Sequence, residues 1–243
     1  MSKMSVIIPA YNESLRIEET IKSALKYFNF KSEPFELIVC DDGSTDNTRE
    51  KVLAFAAKSP NVKIQEGKHA GKAAAVRTGV NAATGYYILM MDADGDVAVD
   101  QVEKLFNELK SNSADIAIGS REGLGDGQRS DEPFYRHVLG RVFNFVVKIL
   151  TGLKFEDTQC GFKLFKSYVF KDLSQRSSIM NQTPNHLGIP LVTAFDVELL
   201  VLAKKFGYKT VEVPILWRHV PTKNINPIKD SLRMLADVLR FRG

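Results

Sequence analysis

In the first half of the chain, short apolar runs alternate with segments whose apolar residues recur every three or four positions. Met4 to Pro9 (MSVIIP), Phe35 to Cys40 (FELIVC), Val62 to Gln65, Tyr86 to Met91 (YYILMM) and Ala114 to Gly119 (ADIAIG) read as strands. Glu13 to Phe28, Thr45 to Ala57, Gly71 to Ala83 and Val99 to Leu109 read as the helices between them. Strands separated by helices of this length predict βαβ units and a parallel sheet. Strands that are almost wholly apolar fit burial on both faces.

The alternation breaks after Gly119. Gly123 to Pro133 (GLGDGQRSDEP) is rich in glycine and charge and reads as a mobile loop. Phe134 to Leu150 reads as an apolar-basic helix, and Asp157 to Phe165 (DTQCGFKLF) as a loop entering a strand. Gln175 to Pro190 is polar and reads as irregular. Phe195 to Phe206 reads as a helix closed by Gly207, Tyr208 to Leu216 as a strand, and Pro227 to Arg242 as an amphipathic helix. No internal repeat is visible. The expectation is one continuous domain, with a nucleotide-type half over residues 1–120 and an acceptor-side half over residues 121–243.

Composition narrows the class. The chain has 243 residues, 44% apolar and 26% charged, enough for a sizeable core without metal or disulfide staples. It is not collagen, a coiled coil or globally disordered. Two cysteines make no disulfide framework, so a reducing compartment is expected. The N-terminal MSKMSVIIPAYNES lacks the apolar core of a signal peptide, and no run reaches the ~18 apolar residues of a membrane span. A net charge of +4 is too small to imply a nucleic-acid partner, and none is expected.

Candidate chemistry gathers in four loops: Pro9 to Glu13, Asp41 to Ser44, Asp92 to Asp96 and Gly119 to Arg121. All four fall at the C-terminal ends of predicted strands, the edge where open α/β sheets bind ligands. Asp92, Asp94 and Asp96 are the sharpest signal. Alternate residues of an extended chain face one way, so the carboxylates could converge on one cation, Mg²⁺ or Mn²⁺ by their hard oxygens. An isolated motif of this kind also serves as a solvated turn and helix N-cap. Its likeness to a calcium loop is weak, because the glycine comes early and Val97 stands at the sixth place. Asp41 and Asp42 suit a base or ribose, and equally an ordinary strand-to-helix turn.

Lys72, opening a small-residue helix after Gly71, suits a phosphate, although no Walker A spacing and no GxGxxG is present. There is no GxSxG, HExxH or CxxC, and Cys160 reads as a packed thiol. The four histidines are scattered without metal spacing. His219 reads equally as functional or as a polar strand end.

Taken in order, SVIIPAYNE, IVCDDGSTDNT, GKAAAVRTG, MDADGD, GSR, DTQCGFKLF, FDVELL and VPILWRHV resemble the family 2 inverting glycosyltransferases of GT-A fold. Within them the chain is similar to the dolichyl- or polyprenyl-phosphate glycosyltransferases, particularly the β-glucosyltransferase branch. The resemblance runs from about Met4 to Arg240. It implies an α/β Rossmann-like, mostly parallel sheet flanked by helices, with a C-terminal acceptor-side extension.

By the same resemblance, Pro9, Tyr11, Glu13, Asp41, Asp42, Lys72 and Asp92 contact the nucleotide sugar. Asp92, Asp94 and Asp96 hold the divalent metal. Arg121 and Arg136 hold the lipid phosphate. Arg218 and His219 close over the diphosphate or acceptor. One departure is Pro221-Thr222-Lys223, where relatives often carry Gly-Ser-Lys; Lys223 keeps the charge. Asp157 and Asp196 are candidates to orient sugar or acceptor, although Asp196 also suits a helix cap. The implied reaction is inverting transfer of a hexose, foremost glucose from UDP-glucose, to a lipid phosphate. The implied catalytic set is Asp94, Arg121, Arg136 and Asp196.

GDP-mannose as donor, a soluble acceptor, or a non-catalytic sugar-nucleotide binder are the alternatives. A lipid acceptor also implies peripheral attachment at the cytoplasmic face of a membrane. The Phe134 to Lys154 and C-terminal segments, apolar with basic neighbours, suit a bilayer interface, or alternatively packing on the sheet or a dimer face.

Overall fold

The computed structural model describes residues 4–122, 129–130, 134–182, 193–218, 220 and 227–241. The elements run β1 (Met4–Ala10), α1 (Ile17–Lys31), β2 (Phe35–Asp41), α2 (Thr48–Ala56), β3 (Val62–Glu66), α3 (Lys72–Ala82) and β4 (Tyr87–Met90). A single 3₁₀ turn at Val99–Gln101 leads into α4 (Val102–Ser111) and β5 (Ile116–Ser120). The second half holds β6 (Arg129–Ser130), α5 (Phe134–Thr151), β7 (Lys163–Lys166), α6 (Ser167–Arg176), α7 (Phe195–Lys205), β8 (Thr210–Pro214), β9 (Trp217–Arg218) and α8 (Pro227–Phe241).

Seven strands form one sheet in the order β3-β2-β1-β4-β7-β5-β8. Alternation along each strand explains how both faces are covered. Val6, Ile8, Leu37, Val39 and Leu89 face one way, into a core shared with α1 and α4. Ile7, Ile38, Ile88 and Met90 face the other, into a core shared with α3, α6 and α7. Gly79 lets α3 lie close on the sheet, since a Cβ there would stand 2.6 Å from Ile7 Cγ2 and 2.7 Å from Cys40 Sγ. Gly207 closes α7 as expected, with φ at 78°.

The sheet departs from an all-parallel arrangement in one strand. β7 runs antiparallel between β4 and β5, pairing Lys163 with Met90 on one side and with Ile118 on the other. Four residues, the first three buried, carry no direction signal, which is why the sequence did not show it. The reversal has a functional consequence. It brings the start of β7, and the Asp157–Phe162 loop before it, to the edge where the parallel strands end.

Two further differences are local. α6 was not foreseen, and the strand expected over Tyr208 to Leu216 is found as the shorter β8, with β9 beyond it. Most of the expected Gly123 to Pro133 loop, and residues 183–190 of the expected irregular stretch, lie outside the described residues. No helix among the described residues is long and apolar enough to cross a membrane.

Candidate functional site

The three N-terminal loops at the strand ends are tied to one another by side chains of turn-forming residues. Asn12, with φ at 55°, accepts from Thr45 N at 2.8 Å and donates its own N–H to Ser44 Oγ at 3.0 Å. Glu13 N donates to Thr48 Oγ1 at 2.8 Å and Ser14 N to Asp46 Oδ2 at 3.1 Å. These bonds clamp the β1–α1 loop onto the β2–α2 loop.

Asp42 does the same for the approach to α3. Its carboxylate accepts from Ala70 N at 2.9 Å and Gly71 N at 2.8 Å, and pairs with His69 Nδ1 at 3.0 Å. The His69 ring in turn lies flat on Tyr11, with centroids 3.8 Å apart and planes 13° from parallel. Asp42 is therefore occupied in shaping the site, whereas the Asp41 carboxylate accepts long bonds from Ser44 N, at 3.3 and 3.4 Å.

The clamped loops enclose a cleft of about 250 Å³ lined by Pro9, Tyr11, Glu13, Asp42, Lys72, Asp92 and Asp94 among others. Asp41 and Asp42 line an adjoining cavity of about 170 Å³ with Gln65, Lys68 and Arg77. So the residues expected to meet a nucleotide sugar do converge in space.

The acidic loop is more differentiated than its sequence implies. Lys72, first residue of α3, places Nζ 2.5 Å from Asp92 Oδ1. Burial disfavours the ammonium, but Asp92 and then Asp196 outweigh it and raise the Lys72 pKa. Asp92 Oδ1 is buried, and this ammonium is what meets it. Gly161 packs on the far side of the same carboxylate.

Asp94 faces the cleft and accepts one long bond, from Asp96 N at 3.3 Å. Asp96 has partners of its own: its Oδ2 accepts from Trp217 Nε1 at 2.6 Å and its carbonyl from Arg218 N at 2.9 Å. Burial first, then Asp92, raises the Asp94 pKa. Burial, then Asp92 and Asp94, pushes Asp96 up to about 7.

Among the described residues no three His, Cys, Asp or Glu side chains stand together as a metal cage. Asp92 nevertheless lies near enough to Asp94 and Asp96 to raise their pKa values, with Asp96 engaged by Trp217. The donor chemistry fits a hard divalent cation. It offers a buried carboxylate oxygen paired with Lys72, and two further carboxylates, Asp94 and Asp96, whose charge burial and mutual repulsion disfavour.

On the other side of the edge, Arg121 grips Asp157 with two side-chain bonds, Nε to Oδ2 at 2.6 Å and Nη2 to Oδ1 at 3.0 Å. Arg121 N also donates to Asp157 Oδ2 at 3.1 Å. Burial works against the Asp157 anion, but the guanidinium outweighs it and holds the pKa well below the usual carboxylate range. Glu212 of β8 fixes the loop by accepting from Glu156 N and Asp157 N at 2.8 and 2.7 Å. Arg121 thus reaches the site already engaged, and Asp157 orients it.

Asp196, near the start of α7, accepts from Lys163 Nζ at 2.6 Å, and the same ammonium donates to Cys160 O. Lys163 is 1% exposed. The side chain of Arg218 is exposed. His219, Lys223 and the side chain of Arg136 lie outside the described residues. Burial pushes the thiols of Cys40 and Cys160 up to about 12, in keeping with packed rather than reactive cysteines.

Lys163, Gly161, Trp217 and His69 were not singled out from sequence. A lysine opening an otherwise apolar strand (KLF) was the available signal for the first.

The helix α5 borders the Asp157 loop, Asn144 donating to Phe155 O and Glu156 O and accepting from Thr158 Oγ1. Phe143 and Val147 are buried, while Val138, Val142, Phe145 and Ile149 form an exposed apolar stripe at helical spacing, Phe145 being 63% and Ile149 64% exposed. α8 packs on α5 and leaves Leu232 and Leu239 exposed.

Comparison with known proteins adds independent information. The sequence profile described as glycosyl transferase family 2 matches residues 5–174. A dolichyl-phosphate beta-glucosyltransferase of Dictyostelium discoideum is 33% identical over 251 residues, covering 98% of this chain and 73% of its own length. The human protein of the same name is 33% identical over 253 residues, covering 99% of this chain and 75% of its own. Among solved structures, glucosyl-3-phosphoglycerate synthase of Mycobacterium tuberculosis, in complex with Mn²⁺, UDP and glucosyl-3-phosphoglycerate, superposes with a TM-score of 0.68 at 18% identity. That match covers 100% of this chain and 80% of the other. The GT-A fold expected from the sequence is the fold found.

Proposed function

The chain belongs to glycosyl transferase family 2 and is a hexosyltransferase, and we propose that it transfers glucose from UDP-glucose to dolichyl or polyprenyl phosphate with inversion. The observation that carries this reading is the convergence of Tyr11, Glu13, Lys72, Asp92 and Asp94 on one cleft at the ends of the parallel strands. Support for the acceptor comes from the relatives, which are named for dolichyl phosphate. Support for a uridine nucleotide and a divalent cation comes from the fold neighbour crystallised with UDP and Mn²⁺.

In this reading the nucleotide lies against the Tyr11 and Asp41 loops, with its diphosphate toward the acidic loop and the N-terminus of α3. The positive end of the α3 dipole and Lys72 at that helix start favour the anion. Asp92 and Asp94 would hold Mg²⁺ or Mn²⁺, which supplies charge neutralisation for the departing diphosphate.

A phosphate oxygen of the acceptor attacks the anomeric carbon. The carbon–oxygen bond to the diphosphate breaks, and its electron pair leaves with UDP. A phosphate monoester is already an anion near neutral pH, so no strong base has to create the nucleophile. The task of the chain is to bring two anions into line and stabilise the charge that leaves. Arg121, held rigid by Asp157, and Arg136 are the proposed partners of the acceptor phosphate. Asp196, fixed by Lys163, orients sugar or acceptor. Residues 1–120 thereby serve the donor and 121–243 the acceptor, within one domain.

The apolar stripe of α5, with Arg141 and Lys148 beside it, is proposed to lie on the membrane that holds the acceptor. Two free cysteines fit the reducing, cytoplasmic face.

The donor assignment is tested by calorimetric titration with UDP and with GDP, each with Mn²⁺. Binding of UDP at least tenfold tighter is expected. A preference for GDP would move the reading to GDP-mannose.

A further inference from the structure

Trp217 is the sole tryptophan of the chain and is 8% exposed. It stands where three segments meet. Its Nε1 donates to Asp96 Oδ2 at 2.6 Å. Its backbone bridges to Val97, the next residue of the acidic loop, and β9 pairs Trp217 with Arg129. Above its ring lies the guanidinium of Arg121, with Cζ 5.4 Å from the ring centroid. Arg121 is the residue that grips Asp157.

One rigid indole therefore touches the last carboxylate of the acidic loop with its edge and the acceptor-side arginine with its face. The two contacts use different parts of the ring system. The N–H contact holds one oxygen of Asp96, a carboxylate close enough to Asp92, Asp94 and Lys72 to act on their charges, so it fixes where that negative charge sits on the donor side. The face contact carries no hydrogen bond and depends only on an aromatic surface.

We propose that Trp217 is a positioning residue with two separable roles: its N–H sets the placement of Asp96 for donor binding, and its ring seats Arg121 for the acceptor. The inference rests on the reading of the acidic loop as the donor site. Trp217→Phe keeps an aromatic face and removes the N–H. Trp217→Leu removes both.

The test titrates the full chain with UDP and Mn²⁺ by calorimetry and follows the emission of the single tryptophan of the unmodified protein during the same titration. UDP·Mn²⁺ binding should shift that emission, because the indole N–H is bonded to the loop that receives the ligand. Trp217→Phe should weaken UDP·Mn²⁺ binding about tenfold, in line with loss of one hydrogen bond to a charged group, while the KM for the lipid phosphate changes less than twofold. Trp217→Leu should raise that KM as well. Trp217→Phe combined with Asp96→Ala should weaken binding little more than Asp96→Ala alone, since both remove the same bond.

Unmodified protein that binds UDP·Mn²⁺ with no change in emission overturns the proposal. So does a Trp217→Phe variant that binds with unaltered affinity, or one whose donor and acceptor constants worsen together. Unmodified protein that fails to bind UDP·Mn²⁺ at all brings down the donor reading itself, and the inference with it.

Discussion

Gly161 is packed directly against the carboxylate of Asp92: a Cβ at residue 161 would stand 2.7 Å from Oδ1 and nearer still to Cγ and Oδ2. Asp92 is thus trapped between the ammonium of Lys72 and the backbone of the loop that precedes β7. Gly161→Ala should push this carboxylate out of place. A displacement of about 1 Å at a reacting centre can lower the rate on the order of 100-fold. We expect a loss of that size in kcat, with the melting temperature falling only a few degrees. An alanine variant with unaltered kcat would show that the position of Asp92 is not critical.

Asp94 separates function from folding. It makes a single long hydrogen bond, and burial beside Asp92 disfavours its charge. Asp94→Ala should therefore leave the metal-free protein as stable as the original or slightly more so. Transfer should drop by a factor on the order of 10²–10³, the scale for losing one electrostatic contact to the leaving group. Differential scanning calorimetry alongside an activity assay checks both halves.

The Arg121–Asp157 pair predicts the opposite balance. Arg121→Ala leaves Asp157, 5% exposed, as a buried anion without its main partner. Breaking a buried pair from one side costs about 3–5 kcal/mol. Chemical denaturation should show a loss of that order for Arg121→Ala. Asp157→Asn with Arg121→Met should recover much of the stability but none of the transfer. Full recovery of activity in that double variant would remove Arg121 from the acceptor site.

A fourth prediction concerns acid stability, far from the site. Glu36, 2% exposed at the opposite edge of the sheet, accepts from Ser5 Oγ at 2.6 Å, Thr84 N at 2.8 Å, Thr84 Oγ1 at 2.7 Å and Lys63 Nζ at 2.7 Å. Burial pushes its pKa up, but these donors, Lys63 first, outweigh that and bring it down to about 2. A depressed carboxylate pKa stabilises the fold above the unfolded-state value of 4.5, and the contribution is lost as the pH falls from there to about 2. Glu36→Gln should lower the melting temperature at pH 7, and the gap to the unmodified protein should close as the pH approaches 2. A gap that stays constant with pH would contradict this assignment.

Exposure on α5 makes the membrane reading separable from folding. Phe145→Glu places a charge on an already exposed site, so stability should stay within about 0.5 kcal/mol. Co-sedimentation with vesicles containing phosphatidylserine should fall severalfold. Unchanged sedimentation would leave the stripe to another partner.

How far the sequence was legible follows from what each feature depends on. The βαβ half depends on local periodicity, and its strands lie close to where the apolar runs place them. The loops at the strand ends were legible for the same reason: parallel topology alone sends Tyr11, Asp41 and Asp92 to one edge. The direction of β7 was not, because KLFK has no signature of its orientation. With β7 went Lys163 and Gly161, whose roles exist only once that loop folds back onto Asp92.

Asp96 shows what a local pattern leaves out. Alternation along an extended chain predicted three carboxylates on one face. The Trp217 indole, 121 residues away in sequence, engages one of them. Asp42 likewise spends its carboxylate on Ala70 and Gly71, a long-range bond no local pattern encodes.

The central claim is hexose transfer from a uridine nucleotide to a lipid phosphate in the cleft between Tyr11 and Asp94. Its most direct test incubates the full chain with UDP-[¹⁴C]glucose, Mn²⁺ and dolichyl phosphate in detergent micelles and extracts the product into organic solvent. The account predicts acid-labile label in the lipid phase, absent with Asp94→Ala and absent without dolichyl phosphate. Label that stays wholly in the aqueous phase, with the protein shown to bind UDP, would contradict it.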